Sequence, residues 1–108
     1  MKLVNLTPHP IVVKIGSSQI VIPPSGKIAR VKVDQQIVGE IDGIPLVKNI
    51  YGDIEGLPSP EDGVIYIVST LVLNAVKDRD DVVAPDTSTG VIRDNHGNII
   101  AITRFVVK

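Results

Sequence analysis

Apolar residues run unbroken from Val64 to Val68 behind Gly63, and the chain is organised around this stretch. A β-branched and aromatic run of this kind, bounded by glycine, reads as a strand buried on both faces. Ser69 ends it. A serine there accepts a hydrogen bond from the first free N–H groups of a following helix, so strand turns to helix at that residue. Beyond it Thr70, Asn74, Lys77 and Asp78 fall on one narrow helical stripe, and the remaining positions are apolar and packed.

The same pattern, followed from the N-terminus, predicts strands almost everywhere else. Leu3 to Leu6 is a short strand halted by Thr7-Pro8-His9-Pro10, where two prolines fix φ and remove donors. Ile11–Ile15 and Gln19–Ile22 form a hairpin across Gly16-Ser17-Ser18. After the turn Pro23-Pro24-Ser25-Gly26, the residues Ala29, Val31 and Val33 alternate with Arg30, Lys32 and Asp34, as in a strand with one wet face. Ile37–Ile41 and Ile44–Tyr51 flank Asp42-Gly43, a strong hairpin signal, with Pro45 marking either an edge strand or a strand start. From Gly52 to Gly63 there is no periodicity, and an irregular connection is expected. Val82-Val83-Ala84 is a brief strand after the charged exit Asp78-Arg79-Asp80-Asp81, and Pro85 to Gly90 is a polar loop. Val91-Ile92-Arg93 and Ile99–Val107 make the last hairpin. These strands and the one helix predict a mainly β domain, a small antiparallel barrel or sandwich with the helix closing one end.

Composition narrows this reading. The 108 residues suffice for one domain and not for two. Aromatic residues are only 3% of the chain, so the core is built from Val, Ile and Leu, and only Tyr51, Tyr66 and Phe105 are available to stack on a base or sugar. A net charge of −1, with both signs interspersed, removes the footprint of a binder of polymeric nucleic acid. There is no cysteine, hence no disulfide and no thiolate metal site. The N-terminus lacks a signal-peptide apolar region, and no apolar run approaches the roughly 20 residues of a membrane span, so a soluble cytoplasmic protein is expected. Val12, Val21, Val106 and Val107 lie on phases opposite to apolar neighbours. More apolar surface results than one helix can cover, which predicts a homo-oligomer.

Candidate chemistry is sparse. The loop Asp86-Thr87-Ser88-Thr89-Gly90 offers hydroxyl and N–H donors to an anion such as phosphate, with Asp86 able to accept from a ribose hydroxyl; the same residues are ordinary turn formers, and Asp86 can instead close on its own backbone. Ser69 at a helix start is either an anion site or a plain N-cap. A nucleophile elbow is disfavoured, because Ile67-Val68-Ser69-Thr70-Leu71 stands where Gly-x-Ser-x-Gly is required. Among the four arginines, Arg79 lies between helix and loop and is the candidate phosphate ligand, unless it pairs with a neighbouring aspartate; Arg30, Arg93 and Arg104 fall on strands. His9, in a rigid bend, has the chemistry of a base or a hydrogen-bond donor. His9 and His96 are too far apart in sequence to suggest zinc, and Asp80, Asp81 and Asp86 lack the spacing of an oxygen-ligand loop, so neither metal nor cofactor is expected.

Asn5-Leu6-Thr7-Pro8-His9, Pro23-Pro24-Ser25-Gly26, Gly56-Leu57-Pro58, Val64–Ser69, Ala84-Pro85-Asp86-Thr87 and Val91-Ile92-Arg93-Asp94 together resemble a group of small proteins of phages, prophages and bacterial genomes, most of them uncharacterised. Small β-rich phage proteins of this size include sponges that sequester nucleotide signals of antiphage immunity, an analogy of size and origin that carries over no catalytic residue. The expectation is a non-catalytic binder of a small anionic, nucleotide-derived ligand, with Thr7, His9, Ser69, Arg79, Asp86 and Thr87 around one concave surface. A structural or adaptor module assembling through apolar strand edges is the alternative, and a small hydrolase using His9 or Asp86 is a third.

Overall fold

A computed structural model describes residues 1–108. The order is β1 (Lys2–Asn5), β2 (Ile11–Ile15), β3 (Ser18–Ile22), β4 (Arg30–Ile41), β5 (Ile44–Glu55), β6 (Val64–Ile67), α1 (Thr70–Ala75), β7 (Val82–Pro85), β8 (Val91–Arg93), β9 (Ile99–Ile102) and β10 (Phe105–Val106). The fold is mostly β, as the sequence pattern predicts, and its sheets remain open rather than closing into a barrel.

The VIYIV run forms the centre of the structure. Strand β6 lies inside a four-stranded sheet of order β1-β6-β7-β10, parallel to both of its neighbours. Its side chains alternate between two cores. Val64, Tyr66 and Val68 join Val72, Leu73 and Val76 of the helical segment, together with Leu6, Ala29, Val82 and Ala84. Ile67, with Val83 beside it in register, faces Ile11, Val13, Ile22 and Ile102 of a second sheet, of order β3-β2-β9-β8. The central sheet is thus covered on both faces, and its middle strands need apolar residues at every position. Both four-stranded sheets mix parallel and antiparallel pairs, where a mainly antiparallel arrangement is expected from the hairpin signals.

Several boundaries differ from expectation for local reasons. The helix is one and a half turns long, ends at Ala75 and lies on a face of the central sheet rather than across its end. Ser69 caps it by accepting from the Val72 N–H at 3.3 Å, and Val76 returns to extended backbone. The final strand is two strands. Thr103 and Arg104 form a corner, fixed by the Thr103 N–H and hydroxyl on the Gly90 carbonyl, through which the chain leaves the second sheet and enters the central one as β10. Strand β5 extends to Glu55, into the stretch expected to be irregular.

The largest departure is the β4–β5 hairpin. Each of its strands is 12 residues long, and together they form a separate two-stranded ribbon. Asp42 and Gly43 turn it with φ of 51° and 81°, the paired positive values of a type I′ turn. Only the base packs on the body, where Val31 and Ile54 lie against the helix-side core. The radius of gyration is 16.5 Å against about 13 Å for a compact chain of this length, because the ribbon projects as an arm.

Candidate functional site

Asn5 shapes the bend that contains Thr7 and His9. Its side chain is 1% exposed, and its amide donates to the carbonyls of His9 at 2.8 Å and Ile22 at 3.0 Å. Its carbonyl oxygen accepts from the Thr7 N–H at 2.9 Å and from the Thr7 hydroxyl at 2.7 Å. All four bonds serve one function, to clamp β1, the bend and the end of β3 into one geometry. Thr7 is held at a defined position by this clamp, while the His9 side chain is exposed and only its backbone takes part.

Thr7 and Ser69 come together. Parallel β1 and β6 end side by side, so the residues that follow them open at the same end of the sheet. There they line a concavity of about 380 Å³, floored by Leu6, Ala29 and Val72 and walled by Pro8, Ile28 and Leu71. Its volume falls within the range of small-ligand sites, and six of its ten lining residues are apolar. The charge at its rim is Arg30, at the start of β4, with no carboxylate within ion-pairing distance. Arg30 reads as a strand residue in the sequence, and its position at the rim depends on where the arm joins the body. A larger depression of about 660 Å³ surrounds Val76 to Asp80 and Lys108, but it is open and polar. Two of its cations are engaged there, Arg79 with Asp81 and the Lys108 ammonium with the carbonyls of Asn74 and Val76 at the helix end. The smaller, apolar concavity is therefore the stronger candidate.

Asp86 also lies beyond the carboxyl end of its strand, but its loop is closed on itself. The buried carboxylate accepts from the Ser88 N–H at 3.1 Å and hydroxyl at 2.9 Å, from the Thr89 N–H and hydroxyl, and from Arg104 Nε at 2.7 Å. The donors that an external anion requires already surround an internal one. The Arg104 bond, then those from Ser88 and Thr89, hold the Asp86 carboxyl well below the usual carboxylate range. Gly90 allows this closure, since a Cβ there lies 2.8 Å from Arg104 Cγ and 3.0 Å from Asp86 Oδ2. Thr87 is exposed at the outside of the loop.

Arg79 does not join the others. It precedes β7, at the opposite end of the sheet from Ser69 and Asp86, and is held in a two-pronged pair with Asp81 at 2.7 and 2.8 Å while donating to the Pro58 carbonyl at 3.0 Å. The hydrogen-bonded pair raises the pKa of Arg79 and lowers that of Asp81. It ties the connection before β6 to the connection before β7, a structural role. The expected convergence of Arg79 with Ser69 and Asp86 thus fails on topology: three residues before a strand start and one after its end are separated by the strand's length. Arg93 donates to the Gly97 carbonyl within its own hairpin, and Asp94 accepts from the N–H groups of His96 and Asn98 in the turn, which lowers its pKa. No group of histidine and carboxylate side chains is arranged to hold a metal ion, and no helix is long and apolar enough to cross a membrane.

Asn5, Arg30 and Arg104 are the residues that sequence reasoning passes over. A signal exists for Asn5, because an asparagine just before a proline-rich bend is a common partner for its backbone. For the arginines none exists, since the Asp86 partner of Arg104 and the Thr7 and Ser69 neighbours of Arg30 are distant in sequence. No known family model, curated protein or solved structure matches this chain.

Proposed function

We propose that this protein binds a small anionic, nucleotide-derived ligand in the concavity between the 5–9 bend, the start of the helix and the base of the arm, and releases it unchanged. The observation that supports this is the meeting of Thr7, Ser69 and an unpaired Arg30 at the rim of an apolar hollow. In this reading Arg30 takes the role first expected of Arg79 and grips phosphate with its planar fork. The Ser69 oxygen accepts from Val72, which leaves its hydroxyl proton to donate to the ligand. Pro8, Ile28 and Leu71 provide the apolar wall for a base or sugar. Asp86 and Thr87 play no direct part. Sequestration of a nucleotide signal, in the service of a phage, is the biological role that the sequence resemblance adds to this chemistry.

Incubation of the protein with cyclic dinucleotides, ADP-ribose derivatives and phosphate esters, followed by heat release and chromatography, tests the reading. A binder depletes one of them from solution and returns it intact. Arg30→Ala weakens that ligand by about 1.5–3 kcal/mol, the scale of a charge-assisted hydrogen bond, whereas Arg79→Ala leaves the affinity unchanged. A ligand recovered as product points instead to hydrolysis, and no depletion of any candidate removes the proposal. A structural or adaptor role is the second reading, favoured by the projecting apolar arm.

A further inference from the structure

The arm leaves large apolar side chains in water on a surface that the chain itself does not cover. Cross-strand partners share a face, so the register Val33 to Tyr51, Gln35 to Asn49, Ile37 to Val47 and Glu40 to Pro45 defines one row. It continues the row begun by Val31, which packs on the helix-side core. Ile37 is 73% exposed, and Val47 and Tyr51 are each 48% exposed. The row's one charge is Glu40 at the tip, and its central amides, Gln35 and Asn49, bond to each other at 3.1 Å. The opposite face carries Ile41, Ile44, Leu46 and Ile50, interrupted in its middle by the charges of Asp34 and Lys48.

Area indicates what covers the row. The chain exposes 7571 Å². A compact monomer of its mass exposes about 5,800 Å², which leaves an excess of roughly 1,700 Å² per chain. The two faces of the arm share this excess, so one face from each of two copies carries roughly 1,700 Å² in total, close to the total of about 1,600 Å² for a standard interface. An identical row is also self-complementary by construction, being apolar and nearly free of charge, so a twofold axis brings no like charges together except at the tips.

We propose that two copies of this chain associate through this face of the β4–β5 arm, the two ribbons stacking their apolar rows about a twofold axis. The inference is independent of any ligand. It places the middle of the row near its own copy, whether the axis runs along the arm or across it.

The chain has no cysteine, so a single introduced thiol reports on the contact directly. Gln35→Cys, in mild oxidant, gives a disulfide-linked dimer on a non-reducing gel, and Gln36→Cys, on the opposite face, gives little. Both positions are exposed, and unchanged far-UV circular dichroism verifies that each variant is folded. Light scattering of the full chain at high micromolar concentration returns twice the 11.6 kDa chain mass, and Ile37→Lys with Val47→Lys returns the single-chain mass. A monomeric wild type, a larger assembly, a dimer indifferent to the two lysines, or equal crosslinking from Gln36→Cys overturns the proposal.

Discussion

Replacing Asn5 by alanine tests whether one buried amide holds the bend at the rim of the concavity. The substitution removes two donors and two accepted bonds. Their losses are unequal. The groups on Thr7 and His9 lie near the surface and turn to water, but the Ile22 carbonyl is reached by Asn5 through a fully buried bond and is left without that donor. Allowing about 1–3 kcal/mol for this stranded acceptor and about 1 kcal/mol for the net value of the others gives a loss of about 2–4 kcal/mol. In a domain of this size that lowers the melting temperature by roughly 10–25 °C. Urea titration and thermal melting followed by circular dichroism measure it, with Gln35→Ala, at an exposed amide pair, expected to change stability by less than about 0.5 kcal/mol. Asn5→Asp sharpens the test, because a carboxylate cannot donate to the His9 and Ile22 carbonyls whereas a protonated carboxyl can donate to one. The folded state therefore favours the protonated form and raises the pKa of that group. Stability of the variant is then highest below the unfolded carboxyl pKa and declines as pH rises through the folded one. If Asn5→Ala costs less than about 1 kcal/mol, Pro8 and Pro10 alone suffice to fix the bend, and the account of Asn5 as its clamp is wrong.

Two further outcomes follow from the charged pairs. Arg79→Ala and Asp81→Ala each destabilise by about 1–2 kcal/mol in urea titrations, and the double variant loses much less than the sum, because both singles break the same bond; additive losses refute the pairing. The Asp86 carboxyl is depressed by Arg104, Ser88 and Thr89, so its stabilising contribution is complete above the unfolded carboxyl pKa and is lost as pH falls through the depressed folded one. Asp86→Asn, which lacks that titration, is less stable at neutral pH and flattens the fall of melting temperature on acidification, and an acid limb as steep as that of the wild type contradicts the assignment.

How much of this was legible in the sequence differs between elements for physical reasons. The β6 run was readable because burial on both faces leaves one signature, unbroken β-branched residues, and Ser69 marks the strand's end with a capping chemistry that few residues share. Asp42-Gly43 was equally plain, since few other pairs supply two positive φ values. The corner at Thr103-Arg104 was not, because it depends on the Gly90 carbonyl and the Asp86 carboxylate, both well over ten residues away. For the same reason the 85–90 loop remained ambiguous. Its composition is that of an anion cradle, and only Arg104, arriving from the corner between β9 and β10, shows that the cradle is filled from within. Of the candidate residues, Thr7 and Ser69 meet because both follow parallel neighbours, a pairing that no local pattern specifies.

The arm and the central strand show where hydrophobic pattern stops short. Residues 44–50 carry Ile44, Leu46, Val47 and Ile50 but also Lys48 and Asn49, so the arm needs cover over part of its surface, whereas the unbroken 64–68 run needs it on both faces. Strand β6 obtains its cover from this chain, since α1 and the second sheet contribute one layer each. For β4 and β5 no further layer is left, since the one short helix lies on the central sheet. Strand β6 is covered on both faces, and the apolar row of the arm is left exposed. In the proposed dimer the second copy supplies this layer, because it carries the same row.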